Sequence, residues 1–122
     1  MGPAVVAGIL RAEWVAVAIA GAVLWIVQGG SLLWLVPVWL AVDSSIAGYA
    51  AGPRIGAVTY NLAHNLVVAL ALLGLGFLVA SSAVVLAGAI LIAHSGIDRA
   101  SGFGLKYATS FQDTHLGRIG RR

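Results

Sequence analysis

Two histidines and two aspartates are the residues best suited to chemistry in a chain with little other charge. They are Asp43, His64, His94 and Asp98. His94 and Asp98 are four residues apart, so a helix would place both on one face. Imidazole and carboxylate groups suit zinc, iron or manganese, and a histidine oriented by a carboxylate is also a general base without metal. The sequence predicts catalytic or metal-binding roles for these four residues, with His115 as a candidate further ligand.

Polar residues close to these four are candidates for binding a substrate. The positions 60, 61, 64 and 65 fall on one face of a helix and carry Tyr, Asn, His and Asn. Two cations near the expected membrane surface, together with Arg54, could hold a phosphate or carboxylate of an amphiphilic substrate. The predicted substrate-binding residues are Tyr60, Asn61, Asn65, Arg99 and Lys106.

The composition indicates the environment in which these residues work. The chain has 122 residues, of which 61% are hydrophobic and 9% are charged. A soluble domain carries about 25% charged residues, so the composition excludes a soluble enzyme and a disordered chain. The basic residues have no soluble module to carry them, so no nucleic-acid partner is expected. With no cysteine, the chain has neither disulfides nor a thiolate metal site.

Four apolar stretches are long enough to position the candidate residues inside a membrane, since a spanning helix needs about 20 residues. The expected helices cover residues 12–28, 32–51, 55–79 and 83–98, and residues 3–10 could extend the first. The turns between them are short, which favours antiparallel neighbours. We therefore expect an all-α fold, a four-helix transmembrane bundle, forming one membrane domain over residues 1–122.

The basic residues predict how this bundle is oriented. All of them fall at one end of the four helices; they are Arg11, Arg54, Arg99, Lys106, Arg118, Arg121 and Arg122. The positive-inside rule makes that end cytoplasmic, so both termini are expected in the cytoplasm and the protein in the cytoplasmic (inner) membrane. Asp43 would then lie ~12 Å and His64 ~15 Å from the cytoplasmic helix ends, at 1.5 Å per residue.

The segment 101–122 mixes aromatic, glycine and polar residues, which is typical of a segment that folds back and docks. Docked over the bundle, it would bring Lys106, Asp113 and His115 to the mouth of a cytoplasm-facing pocket. Asp113 is therefore a second candidate ligand from this segment.

Several runs resemble a family of small bacterial four-helix membrane proteins of unknown function. The resemblance covers residues 39–120 and rests on Tyr-Asn-x-x-His at position 60, His-x-x-x-Asp-Arg at position 94, Gly-Phe-Gly-Leu-Lys-Tyr at position 102 and Asp-Thr-His-Leu-Gly at position 113. It implies a multi-pass inner-membrane protein and adds no activity, substrate or cofactor.

These features favour a membrane-embedded enzyme that acts on a lipid or another hydrophobic or amphiphilic molecule, by hydrolysis or isomerisation. The cofactor is open, with a divalent metal (Zn, Fe or Mn) as the candidate, and a homo-oligomer is a further expectation. Two alternatives remain. One is a small oligomeric transporter or channel, because Glu13 resembles the embedded glutamate in the first helix of small drug/proton exchangers. The other is a structural bundle with a buried polar network.

Overall fold

A computed structural model describes residues 1–120 as an all-helical chain with one short hairpin near its end. Arg121 and Arg122, two of the basic residues that predict the orientation, lie outside the described residues. The elements are helix α1 (Pro3–Val27), helix α2 (Leu32–Ala41), a 3₁₀ segment (Val42–Ala51), helices α3 (Pro53–Ala63), α4 (Leu66–Leu78) and α5 (Ser82–Ser101), and strands β1 (Asp113–Thr114) and β2 (Gly117–Arg118).

Three stretches are long and apolar enough to cross a membrane: α1, α2 continued by the 3₁₀ segment, and α5. Helices α3 and α4 pass the same test as a pair, although they are bent by 48° at the break between them. If the bent pair is one span, the chain has four candidate spans, one for each apolar stretch of the sequence. If it is not, the chain has three. These apolar helices suggest a membrane protein.

The second apolar stretch is α-helical only to Ala41, and the last helix extends to Ser101. Two other helices also differ from their expected bounds. The first begins at Pro3 rather than near residue 12, because proline at a first helical position needs no partner for its missing N–H. The expected unbroken helix over 55–79 is interrupted at His64 and Asn65. Asn65 has an extended backbone, and its Oδ1 accepts a hydrogen bond of 2.8 Å from Val67 N, so it caps a new helix.

Helix α5 is the centre of the fold, and small residues let its neighbours approach closely. A Cβ added at Gly21 of α1 would lie 2.5 Å from Ala93 N, and one added at Gly96 would lie 2.5 Å from Ala18 N. Helix α4 makes a similar approach on another side of α5, at Gly88. Helix α5 therefore holds α1 and α4 together and carries more buried residues than any other element.

The 3₁₀ segment packs against α3, again through glycine. A Cβ at Gly48 would lie 2.1 Å from Thr59 Oγ1, and this hydroxyl donates a hydrogen bond of 2.8 Å to Ser45 O. Gly52 makes the turn between the two elements with φ of +110°, a conformation that glycine adopts readily. This packing fixes the segment that carries Asp43 next to the helix that ends at His64.

The C-terminal segment docks on α3 through the side-chain amide of Asn61. Its Nδ2 donates to Lys106 O at 2.9 Å, and its Oδ1 accepts from Lys106 N at 2.7 Å. Strands β1 and β2 form an antiparallel hairpin, and Thr114 also forms a β-bridge to Lys106. The segment is thereby held across one end of the helices.

Candidate metal centre

The four side chains singled out by the sequence converge on one point. Asp43 comes from the 3₁₀ segment, His64 from the C-terminal end of α3, and His94 with Asp98 from adjacent turns of α5. Each offers one nitrogen or oxygen atom, and these four atoms all lie within 4.8 Å of one another. The break after α3 contributes to this arrangement, because it places His64 at a helix end beside α5.

The contacts between these atoms are close to symmetric. Asp43 Oδ1 lies 3.1 Å from His64 Nε2 and 3.1 Å from His94 Nε2. Asp98 Oδ2 lies 3.4 Å from each of the same two nitrogens. Each carboxylate therefore faces both imidazoles, and neither histidine is paired with one aspartate alone.

Both histidines bind a backbone carbonyl through the other ring nitrogen. His64 Nδ1 lies 2.8 Å from Tyr60 O, and His94 Nδ1 lies 2.6 Å from Trp39 O. A carbonyl oxygen can only accept, so each Nδ1 carries the proton and donates it. A neutral imidazole then presents a lone pair at Nε2, directed at carboxylates, which in their charged form also can only accept. Two lone pairs that face two carboxylates require a shared cation or additional protons between them.

The four nitrogen–oxygen separations are close to those around a cation, whereas the two remaining separations among the four atoms are bounded at 4.8 Å. Ligand atoms bound tetrahedrally at about 2.0–2.1 Å are separated from one another by roughly 3.3 Å. The observed separations between nitrogen and oxygen are 3.1 and 3.4 Å. Two imidazoles and two carboxylates suit zinc, and they also suit iron or manganese if further ligands complete the coordination.

Access to the centre is one-sided. The side chains of both histidines are 0% exposed, that of Asp98 is 13% exposed and that of Asp43 is 43% exposed. A cavity of about 200 Å³ opens on the two carboxylates. Its other walls come from α3, the 3₁₀ segment and the docked C-terminal segment; they include Ile46, Tyr60, Phe103, Lys106, Phe111 and Ile119.

Aromatic side chains hold the two imidazoles in place. The Tyr60 ring stacks on the His64 ring with centroids 3.7 Å apart, and its hydroxyl donates to Asp98 Oδ2 at 3.2 Å. The Trp39 ring lies 4.4 Å from the His94 ring. Such contacts restrict the rotamers of metal ligands and so fix their orientation in advance.

Lys106 lines the same cavity as the two carboxylates. Its Nζ lies 3.7 Å from the centre of the Phe111 ring and 4.7 Å from that of Tyr60, and the residue is 5% exposed. An ammonium held against aromatic faces in a cavity is suited to an anionic or strongly polar group of a ligand.

Three other predicted substrate-binding residues have structural contacts. Asn61 holds the C-terminal segment, and Asn65 caps α4. Arg99 donates from Nη2 to His64 O at 3.1 Å and from Nη1 to Phe103 O at 3.2 Å. None of these three side chains lines the cavity that opens on the carboxylates.

The candidate ligands from the C-terminal segment do not join the group of four. His115 Nδ1 accepts a hydrogen bond of 2.8 Å from Leu105 N. Asp113 accepts from Thr109 and pairs with Arg118 across the hairpin. The hydroxyls of Thr109 and Ser110, followed by Arg118, hold the pKa of Asp113 below its usual value. Glu13 also lies outside the group.

The sequence did not reveal that the backbone carbonyls of Tyr60 and Trp39 are the partners of the two histidines. Every residue has a backbone carbonyl, so residue type gives no signal for this role. The sequence also did not reveal Phe103 and Phe111, which line the cavity. The signal for these phenylalanines was weak: they lie in the one polar segment of the chain, where a large apolar side chain needs something to pack against.

Comparison with known proteins finds one match, to a protein family. No curated protein and no solved structure matches the chain. The family described as a domain of unknown function (DUF4260) matches residues 7–119, which include α1, all four converging side chains and the hairpin. The chain therefore belongs to the DUF4260 family.

Proposed function

We propose that the protein is an integral membrane protein with four spans, in which the bent α3–α4 pair is the third span and both termini are cytoplasmic. The apolar lengths of the helices and the position of the basic residues support this arrangement. The four converging side chains then lie in the cytoplasmic half of the bundle, below the docked C-terminal segment. Groups that ionise at this depth are costly, which favours a functional role.

We further propose that Asp43, His64, His94 and Asp98 bind one divalent metal ion. One observation carries this proposal: both Nδ1 atoms donate to carbonyls, so both Nε2 lone pairs meet the two carboxylates at 3.1–3.4 Å. Without a cation, extra protons on the imidazoles or the carboxylates must fill the space between them, in an apolar environment. An ion satisfies all four groups at once, and the carbonyl partners are the usual outer contacts of metal-bound histidines.

The function that this centre supports best is hydrolysis of an ester or phosphoester bond in a membrane-soluble amphiphile. Asp43, His64, His94 and Asp98 would hold the ion, and with a further coordination position open to water it would supply Lewis-acid activation of the scissile group and of that water near neutral pH. Water adds to the carbonyl or phosphoryl group, and the leaving alcohol takes the proton. Lys106 would stabilise the negative oxygen of the substrate from the cavity wall, and Tyr60 would hold Asp98 in place by its hydrogen bond.

Metal content of the detergent-purified protein tests the centre. We expect about one ion per chain, and its loss in His64→Ala, His94→Ala, Asp43→Asn and Asp98→Asn, because each removes one of four ligands. The matched control is His115→Ala, which removes the third histidine of the chain from outside the group and is expected to retain the ion. Absence of an ion from the wild-type protein, or equal loss in the control, would contradict the proposal.

Chelation separates a metal centre from a metal-free acid–base pair or a structural hydrogen-bond network. An ion present at about 1,000 times its Kd stabilises the folded state by roughly 4 kcal/mol. A strong chelator should therefore lower the melting temperature of the wild-type protein and leave that of His94→Ala unchanged. An unchanged melting temperature in both proteins would favour the metal-free alternatives.

A further inference from the structure

A second cavity, of about 280 Å³, lies between α1, the end of α5 and the hairpin segment. Its walls include Leu10, Arg11, Trp14, Arg99, His115 and Leu116. None of these residues belongs to the group of four that forms the candidate metal centre. The cavity is therefore separate from the candidate metal centre, and the described residues that line it include two arginines and no carboxylate.

Arg99 is a buried cation, and the acidic residue next to it in the sequence, Asp98, contacts the two histidines of the candidate metal centre. Arg99 is 7% exposed, and within residues 1–120 it forms no salt bridge. Its two hydrogen bonds go to carbonyl oxygens, and the Trp14 ring lies 5.7 Å from its guanidinium carbon. A guanidinium has five N–H donors, so donors remain for a ligand. Burying such a charge is costly unless an anion accompanies it.

Arg11 supplies a second cation to the same cavity from the facing helix. It is exposed and forms no salt bridge within the described part of the chain. Two guanidinium groups that line one cavity from two helices suit a phosphate, which accepts paired hydrogen bonds from planar forks.

The remaining walls and the position of the cavity indicate a lipid as the source of this phosphate. Ala7, Leu10 and Leu116 give the cavity an apolar side, and Trp14 is an aromatic of the kind that lies at headgroup level. In the proposed orientation, Arg11 and Arg99 lie at the cytoplasmic surface, where basic pockets between helices bind anionic headgroups. An apolar wall next to two cations is complementary to a phosphate joined to a glycerol backbone and acyl chains.

We propose that this cavity binds the phosphate of an anionic glycerophospholipid between Arg11 and Arg99. The proposal rests on the membrane placement in the proposed function and is independent of the metal ion. Asp98 and Arg99 are adjacent on α5, yet the first lines the cavity over the metal centre and the second lines this one.

Native mass spectrometry of the detergent-purified protein tests the lipid site. Dioleoyl phosphatidylglycerol and dioleoyl phosphatidylcholine have the same chains, so they differ in the charge of the headgroup. We expect selective retention of phosphatidylglycerol and a roughly tenfold weaker affinity in Arg11→Gln, because one charge-assisted donor group is lost. The matched control is Arg54→Gln, which changes an exposed arginine in the first turn of α3 that does not line the cavity.

A second pair of variants tests the cavity itself. Ala7→Asp adds a carboxylate to the cavity wall and should weaken binding of phosphatidylglycerol, whereas Gly8→Asp adds the same charge one residue away, where nothing lies within 4 Å of an added Cβ. Equal weakening in Gly8→Asp, or in Arg54→Gln, would show a general surface effect and overturn the proposal. Equal binding of the two lipids would also overturn it.

Two further measurements distinguish a lipid from a soluble phosphate, and the lipid site from the proposed metal centre. Glycerol 3-phosphate without acyl chains should compete only weakly; competition as strong as that of the lipid would assign the cavity to a soluble phosphate and overturn the lipid. Metal content of Arg11→Gln should equal that of the wild-type protein. A failed lipid experiment with a normal metal content would therefore leave the proposed metal centre standing.

Discussion

Each histidine of the candidate metal centre uses its two ring nitrogens differently: one donates to a backbone carbonyl and the other faces two carboxylates. The sequence predicted that His64, His94 and the two aspartates would be close, because ionisable residues inside apolar helices usually face the bundle interior and pair there. It could not predict the carbonyl partners, Tyr60 O and Trp39 O. These depend on helix rotation and on the break after α3, which side-chain types alone do not reveal.

Tyr60→Phe tests a contact just outside the centre. The change removes the hydrogen bond to Asp98 but keeps the ring stacked on His64, so the fold should persist. Loss of such an outer partner weakens metal affinity by about 10- to 100-fold. Competition with a chelator of known affinity measures this loss. The control is Tyr49→Phe, because the Tyr49 hydroxyl is buried without a hydrogen-bond partner in the described chain; equal affinities in the two variants would contradict the assigned role of Tyr60.

At the scale of elements, the sequence predicted where the apolar stretches lie but not how they are wound. The stretch 55–79 has no proline to mark a break, and apolar residues continue on both sides of His64 and Asn65. Asn65 was the available signal, since asparagine is a favoured helix cap and its side chain accepts from the amides of Val67 and Val68. The 3₁₀ winding of Val42–Ala51 has no comparable signal in the residues that form it.

Close packing between α1 and α5 gives a prediction at this scale. Gly21→Val would place a branched side chain against Ala93 N, which is 2.5 Å from the position of an added Cβ. Overpacking of this kind costs about 1–3 kcal/mol or more, so we expect a lower melting temperature in detergent. Gly8→Val makes the same change in the same helix where nothing lies within 4 Å, and it should be nearly neutral. Equal destabilisation by both variants would attribute the effect to helix propensity alone.

At the scale of the whole molecule, the number of spans decides on which side of the membrane the candidate metal centre opens. With α3 and α4 as one bent span, the chain crosses four times and both ends lie on one side. With the pair as a re-entrant loop, three crossings would put the C-terminal segment on the side opposite α1's first residues. The basic residues of the sequence favour the first arrangement.

Single cysteines test the topology, because the natural chain has none. Ser31→Cys lies in the turn before α2 and Ala108→Cys in the C-terminal segment, and both positions are exposed. A membrane-impermeant maleimide should label Ser31→Cys in intact spheroplasts and Ala108→Cys only after permeabilisation. Labelling of both positions in intact spheroplasts would indicate three crossings and a re-entrant loop.

The distribution of the four ligands along the chain has a consequence for biogenesis. Asp43 belongs to the second apolar stretch, His64 to the third, and His94 with Asp98 to α5, the last helix and the most buried. The chain is made from its N-terminus, so the first two residues precede His94 and Asp98 in synthesis. The proposed set of four ligands is therefore complete only once α5 has been made. Metal loading would then coincide with completion of the fold, and a chain that ends before α5 would carry Asp43 and His64 without their two partners.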